Sequence, residues 1–85
     1  MIAYLGLGSR PAKVQSISAD RITLVSDSPY PLGSTTAIEL ASDTGFRCIL
    51  SVRVTRVEAN PNGGYSIDGE FARRLTAEEL RDLSF

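Results

Sequence analysis

The chain has 85 residues with 42% hydrophobic content, 9 lysines and arginines, 10 aspartates and glutamates, and a formal net charge of -1. This length suits one globular domain and is too short for two. The nearly balanced charge argues against bulk binding of nucleic acid or of an anionic membrane, since both need dense positive charge.

The first eight residues are mostly apolar, but they lack a basic flank and fall far short of the roughly 20 residues that span a bilayer. We therefore predict a first β-strand over Ile2–Leu7, with no membrane anchor and no export signal. The single cysteine, Cys48, cannot form an internal disulfide. One free cysteine is compatible with a reducing compartment, and we expect a cytoplasmic protein.

Turn-forming residues recur at short, regular intervals along the chain and separate segments rich in β-branched side chains. This pattern is typical of an all-β barrel or sandwich. We predict one domain over residues 1–85, with strands spanning about residues 2–74. The predicted strands are Ile2–Leu7, Ala12–Ile17, Arg21–Val25, Thr35–Leu40, Phe46–Glu58 and Tyr65–Arg74.

The segment from Phe46 to Phe71 is predicted to form one long β-hairpin. Apolar and polar residues alternate on both sides of a turn at Asn60–Gly64, which indicates one buried and one exposed face. Up to Val54, Ile49 is the only apolar residue out of phase. The apolar positions then change from even to odd numbers at Val57, which predicts a β-bulge near Thr55–Val57. A hairpin cannot cover its own apolar face, so other strands must close over it. This architecture favours a small recognition module over a catalyst.

Charged residues occupy the polar phase of the same hairpin. Arg47, Arg53 and Arg56 lie on its first strand, and Asp68 and Glu70 lie on its second. Cross-strand pairs of opposite charge stabilise a sheet weakly. We therefore interpret these residues as a solvated outer face on which the arginines pair with the two carboxylates.

The C-terminal segment changes from β to helical character. Thr76 and Glu79 have the spacing of a capping box, and Leu80 and Leu83 lie three residues apart on one helical face. We predict a short helix over Ala77–Leu83 that packs on the β-structure or plugs one end of it. A helix of this length is not stable alone.

Residues suited to catalysis or metal binding are few. The chain has no histidine, which is the commonest general base and metal ligand. Its carboxylates are scattered without a metal-loop spacing, and its only lysine is Lys13. Cys48 falls on the apolar phase of its strand, so we interpret it as a buried hydrophobic residue. We therefore expect no enzyme activity, no bound metal and no cofactor.

Three segments in this order resemble PilZ domains, small bacterial β-barrels that act as receptors for cyclic di-GMP. Val14–Leu24 resembles the PilZ strand-turn-strand with its Asp/Asn-x-Ser-x-x-Gly signature. Pro31–Ser34 resembles the leucine-x-glycine before the next strand, and Gly64–Phe71 is similar to the last long strand before a terminal helix. The likeness covers roughly Lys13–Leu83 and implies a mainly antiparallel, six-stranded PilZ-like β-barrel with a short C-terminal helix.

The resemblance also implies a ligand site in two parts. PilZ domains hold phosphates with an Arg-x-x-x-Arg segment, since a guanidinium is a planar, permanently charged fork, and they hold a guanine edge with the serine turn. In this chain Ser18 matches the signature serine, whereas Ser16 replaces its acidic or amide residue and Arg21 replaces its glycine. Arg10 and Lys13 are the nearest counterpart of the arginine pair. They come after the first predicted strand instead of before it, and the second residue is a lysine instead of an arginine.

The first function that this sequence suggests is a PilZ-like, non-catalytic interaction module of bacterial cyclic di-GMP signalling. Its incomplete signature predicts degenerate nucleotide binding. It would act through protein-protein contacts, either with a protein partner or by self-association. The expected contact surface is apolar and includes the first strand or the C-terminal helix, with candidate residues Ile49, Leu80, Leu83 and Phe85.

Two alternatives remain open. One is a working cyclic di-GMP receptor, in which Arg10, Lys13 and Arg21 meet the phosphates and Ser16 and Ser18 meet a guanine. The two serines also suit ordinary turn hydrogen bonding. The other alternative is an OB-like nucleic-acid-binding barrel, which needs aromatic side chains on an exposed basic strand face.

Overall fold

The computed structural model describes the backbone of residues 2–5, 10–42 and 45–84 and the side chains of residues 11–42 and 45–83. The chain is mainly antiparallel β-structure with one short C-terminal helix, and these two parts of the predicted fold class are confirmed. The strands are β1 (Ile2–Leu5), β2 (Arg10–Ile17), β3 (Arg21–Ser26), β4 (Thr35–Ala41), β5 (Arg47–Ala59) and β6 (Tyr65–Phe71), and the helix is α1 (Ala77–Ser84).

Strands β2 to β6 form one curled, half-barrel sheet in the order β2-β3-β6-β5-β4. The segment β1 is only four residues long and lies between the two edges of this sheet. Its Ile2 is in register with Lys13 of β2 on one side and with Ala41 of β4 on the other. The order of hydrogen-bonded neighbours therefore closes on itself through β1.

The core lies inside the curled sheet because alternate side chains of each strand point inward. Ile22, Ile38 and Leu40 are its most completely buried large side chains. The C-terminal segment joins the same core, since Leu75 and Leu83 are buried in it and Leu80 packs against it. The apolar face of α1 thus covers part of the sheet's interior, in agreement with the predicted role of this helix.

The long hairpin forms as predicted and carries the predicted bulge. The register of β5 and β6 shifts between Val54 and Arg56, which bends the sheet and increases its twist. Gly69 lies opposite Val54 on the inward phase of β6, and a Cβ at this position would overlap the side chain of Val52. Any larger residue at position 69 must therefore displace the Val52 side chain, which favours glycine there.

Several element boundaries differ from the prediction. β2 begins at Arg10, two residues earlier than predicted, and the predicted end of β1 at residues 6–7 lies outside the described residues. β6 ends at Phe71 and does not reach Arg74. It ends early because the Leu75 amide donates to the Ala19 carbonyl at 2.7 Å, which draws the chain out of the ladder and toward α1.

No helix in the part of the chain that the structure describes has the length and apolarity needed to cross a bilayer.

Candidate functional site

The turn between β2 and β3, where the sequence places the signature serine, is closed by its own hydrogen bonds. The Ser18 amide donates to the Arg21 carbonyl at 2.9 Å, and the Arg21 amide donates to Ser18 Oγ at 3.2 Å. The Ser18 hydroxyl also lies 3.1 Å from Asp20 Oδ1 and 3.4 Å from the Arg21 carbonyl oxygen. The hydroxyl proton and an acceptor lone pair of Ser18 are thus both used within the turn.

Backbone contacts hold this turn against the end of β6. The Phe71 amide donates to the Asp20 carbonyl at 2.9 Å, and the Leu75 amide donates to the Ala19 carbonyl at 2.7 Å. Phe71 and Leu75 are themselves buried in the core. These two buried residues therefore hold the turn in place, and they cannot move without disturbing the core.

The Arg21 side chain extends over the outer face of the sheet toward β6. Its Nη2 lies 3.9 Å from Glu70 Oε2, and Arg53 Nη2 donates to the other oxygen, Glu70 Oε1, at 2.6 Å. Strand register explains this arrangement, because Glu70 lies between Arg21 of β3 and Arg53 of β5. One carboxylate thus sits between two guanidinium groups, and the trio carries a single net positive charge.

Two shallow clefts flank Glu70 on this outer face. One has a volume of about 350 Å³ and the other of about 400 Å³. The larger cleft lies between Arg21 on one side and Arg56 on the other, with Asp68 and Glu70 in its wall. The smaller cleft is lined by Asp20, Thr35, Arg53, Glu70, Phe71 and Ala72. Carboxylates therefore line both clefts together with the arginines, which weakens the attraction of either cleft for phosphate.

The structure separates the other predicted site residues from this turn. Ser16 is exposed on β2, two residues before Ser18. Lys13 is exposed beside Val25 near the opposite end of the β2–β3 pair, so four residues of extended strand, about 13 Å, lie between it and the start of the turn. The backbone of Arg10 begins β2, but its side chain lies outside the described residues. Ser18 and Arg21 are the two predicted residues that the described structure brings into contact.

The outer-face arginines pair differently from the sequence prediction. The pair of Arg53 with Glu70 is confirmed. Arg56 instead pairs with Glu58 two residues along its own strand, at 2.9 Å, and Arg47 pairs with Glu39 of β4, at 3.4 Å. The carboxylate of Asp68 accepts a hydrogen bond from Thr23 at 2.8 Å. The partners of Arg47 and Asp68 were missed because the sequence alone does not give the order of strands in the sheet.

A second polar cluster lies where α1 meets β5. Arg73 donates to both carboxylate oxygens of Glu79, at 2.8 and 2.7 Å. The sulfur of Cys48 lies 3.6 Å from Glu79 Oε2 and 3.7 Å from Arg73 Nη2. The predicted capping box is confirmed in the same cluster, because the Thr76 amide donates to Glu79 Oε1 at 3.0 Å and the Glu79 amide donates to Thr76 Oγ1 at 3.1 Å.

The charges in this cluster determine its titration. Hydrogen bonds from Arg73, and then from the Thr76 amide, lower the pKa of Glu79 to about 2. Burial, and then the charge of Glu79, raise the pKa of the Cys48 thiol. Cys48 is only 9% exposed, so its burial is confirmed. A protonated, buried thiol is a poor nucleophile.

The apolar residues expected at a contact surface are divided between core and surface. Leu83 belongs to the core, which corrects its assignment to an exposed patch, and Leu80 is only partly buried. Ile49 is 63% exposed on the outer face of β5, and Leu32 before β4 is 70% exposed. Phe85 lies outside the described residues. The described helix therefore uses its apolar face for the core, and Ile49 remains as the exposed member of the predicted set.

Comparisons with protein-family models, with curated proteins and with solved structures found no match to this chain. Among the described residues there is also no group of three or more cysteine, aspartate or glutamate side chains placed to hold a metal ion. Function is therefore inferred from the geometry of the Ser18 turn and of the surfaces around it.

Proposed function

We propose that this chain is a non-catalytic, PilZ-like recognition module of bacterial cyclic di-GMP signalling, a six-stranded barrel that is degenerate in nucleotide binding and acts through protein-protein contacts. The proposal is supported mainly by the turn at Ser18, in which the serine hydroxyl already forms hydrogen bonds within the turn. Its hydroxyl is bonded to Asp20 and Arg21, and the Arg21 side chain extends to Glu70.

The hydrogen bonds of Ser18 and the side chain of Arg21 both disfavour nucleotide binding at this turn. A guanine edge held by the turn needs a free serine hydroxyl and the open space that glycine leaves in the PilZ signature. Here the hydroxyl is already bonded, and an arginine side chain replaces the glycine. Exchanging existing hydrogen bonds for new ones yields little net free energy, since each contributes only about 0.5–1.5 kcal/mol. The turn therefore offers a nucleotide little gain in binding.

The topology supports the PilZ-like part of the proposal. The short β1 pairs with both edges of the curled sheet, which is the closure that a six-stranded barrel requires. The helix α1 follows the last strand and places Leu83 in the core. Both features agree with what the sequence resemblance implies.

Exposed apolar side chains support the role of protein contacts. Ile49 and Leu32 are the large hydrophobic residues with the greatest exposure in the described chain. Ile49 interrupts the polar phase of β5 and lies opposite Glu39. A large apolar side chain on an otherwise charged strand face contributes binding free energy when a partner covers it.

A working cyclic di-GMP receptor is the second candidate. The observation in its favour is the cleft of about 400 Å³ between Arg21 and Arg56, which begins beside the Ser18 turn. Asp68 and Glu70 in the same cleft oppose an anionic ligand. The OB-like alternative has less support, because the described aromatic residues Tyr30, Phe46, Tyr65 and Phe71 are buried or half-buried.

Calorimetric titration of the protein with cyclic di-GMP tests the proposal. We expect no saturable heat at about 100 µM nucleotide, well above the micromolar dissociation constants of specific sites. Saturable heat that is lost in Arg21→Ala, and retained in Arg47→Ala on the same sheet, would replace this proposal with the receptor. The Arg47 control removes an equal charge away from the Ser18 turn.

A further inference from the structure

Along the second half of β5, one edge has no neighbouring strand among the described residues. β4 pairs with β5 as far as Arg53. The amide of Val54 then donates to Ser34, and its carbonyl accepts from Gly33, at 2.8 Å each. Beyond this point β6 is the one described strand that pairs with β5. We call the segment Thr55–Ala59 the open edge, because no segment of the described chain pairs with it on the side away from β6.

The backbone of the open edge presents regularly spaced hydrogen-bonding groups. The Asn60 amide donates to the Gly64 carbonyl at 3.0 Å, so this residue pair is hydrogen-bonded. Hydrogen-bonded and non-hydrogen-bonded pairs alternate along an antiparallel ladder. Glu58 therefore directs its amide and carbonyl to β6, whereas Val57 and Ala59 direct theirs outward. Unpaired groups of this kind template the addition of another strand.

The side chains of the open edge are complementary to a second copy of themselves. If two open edges pair antiparallel about Val57, Arg56 of each copy lies directly opposite Glu58 of the other. These positions are non-hydrogen-bonded, where facing Cα atoms approach to about 4.5 Å. Arg56 and Glu58 are 64% and 57% exposed and already form an ion pair of 2.9 Å within one chain. Pairing two copies would join two ion pairs into a network of four alternating charges.

We propose that two copies of this chain associate by antiparallel pairing of their open edges, centred on Val57. The inference rests on the proposed function only in that the chain acts through protein contacts, and it does not involve the Ser18 turn. The bulge after Val54 and the missing N–H of Pro61 limit the paired segment at its two ends. The exposed Leu32, one residue before Gly33, lies near the first of these limits and adds apolar contact area.

Sedimentation equilibrium tests this pairing. The wild-type chain should show a rising average mass between about 10 µM and 1 mM, the range of weak specific complexes. Arg56→Glu and Glu58→Arg each place like charges opposite one another, so each variant should weaken association at least about tenfold. The double variant Arg56→Glu/Glu58→Arg restores opposite charges and should associate again. An equimolar mixture of the two single variants should also associate, because each then faces its complement.

Two controls separate the edge from general charge effects. Arg47→Glu changes the net charge by the same amount as Arg56→Glu but lies at the other end of β5, so it should leave association unchanged. In the unmodified protein, the Val57 amide should exchange hydrogen more slowly at high protein concentration than at low concentration. This second measurement needs no variant to fold.

Three results would overturn the proposal: a wild-type chain that stays monomeric at about 1 mM, single variants that associate as the wild type does, or a mixture of single variants that stays monomeric. The association experiment and the nucleotide titration can fail independently of each other. A dimer that also binds cyclic di-GMP contradicts the proposed degeneracy alone. A chain that stays monomeric and does not bind cyclic di-GMP contradicts the edge pairing alone.

Discussion

Arg73 and Glu79 form a bidentate pair, with hydrogen bonds of 2.8 and 2.7 Å, beside the sulfur of Cys48. Arg73 follows β6, Glu79 caps α1, and Cys48 belongs to β5. One carboxylate thus fixes the start of the helix and ties it to the sheet. The geometry of this cluster makes the attachment of α1 sensitive to acid.

The first prediction concerns stability at low pH. The pKa of Glu79 is lowered to about 2 in the folded chain, whereas a free glutamate titrates near about 4.3. A group with a lowered folded pKa contributes stability above its unfolded pKa and loses it as pH falls toward its folded pKa. We therefore expect the urea midpoint to fall between about pH 5 and pH 2.

Glu79→Gln is the matched variant for this experiment. It should be less stable than the wild type at neutral pH, because it loses the charged pair with Arg73, and its urea midpoint should depend less on pH over the acid range. Glu78→Gln removes a neighbouring exposed carboxylate and should keep the wild-type pH dependence. Equal acid sensitivity in Glu79→Gln and the wild type would contradict the assignment.

The second prediction concerns the reactivity of the thiol. Burial and the neighbouring Glu79 raise the pKa of Cys48, so little thiolate is present at neutral pH. We expect the folded chain to react with a disulfide reagent at least about tenfold more slowly than the chain in urea. A folded chain that reacts as fast as the unfolded chain would show that α1 does not cover this sulfur.

The third prediction concerns the contact between Gly69 of β6 and Val52 of β5. Gly69→Ala forces a methyl group against Val52, and overpacking of this kind costs about 1–3 kcal/mol. Denaturant unfolding of the variant measures the loss. In the double variant Gly69→Ala/Val52→Ala the clash is relieved, so its destabilisation should be smaller than the sum of the two single effects. Strict additivity would contradict the predicted contact.

The fourth prediction concerns the helix. Leu83→Ala removes a side chain that is only 3% exposed, and we expect a loss of about 2–4 kcal/mol in the free energy of unfolding. Leu80 lies on the same helix but is only partly buried, so Leu80→Ala should cost less. Equal effects of the two substitutions would contradict the orientation of α1.

Local signals in the sequence predicted most of the fold. The alternation from Cys48 to Val54 predicted the buried face of β5, and the change of phase near Val57 predicted the bulge. The spacing of Thr76 and Glu79 gave the start of α1. Each of these features depends on neighbours within a few residues, so a pattern along the chain is sufficient to detect it.

Features that depend on strand order were not predictable in the same way. The contact of Arg21 with Glu70 exists because β3 lies beside β6, and the contact of Arg47 with Glu39 exists because β5 lies beside β4. The sequence placed Ser18 and Lys13 in one candidate site, but the extended path of β2 separates them. Long-range register, which no local pattern encodes, decides which side chains meet.

A closed Ser18 turn should leave no binding site for a nucleotide, and an amide NMR titration detects binding at the turn itself. We predict that the Ser18 and Arg21 amide signals keep their positions as cyclic di-GMP is added to about 1 mM, with GTP as the control for nonspecific phosphate effects. Saturable movement of both signals with cyclic di-GMP, and not with GTP, would show that the turn binds this nucleotide.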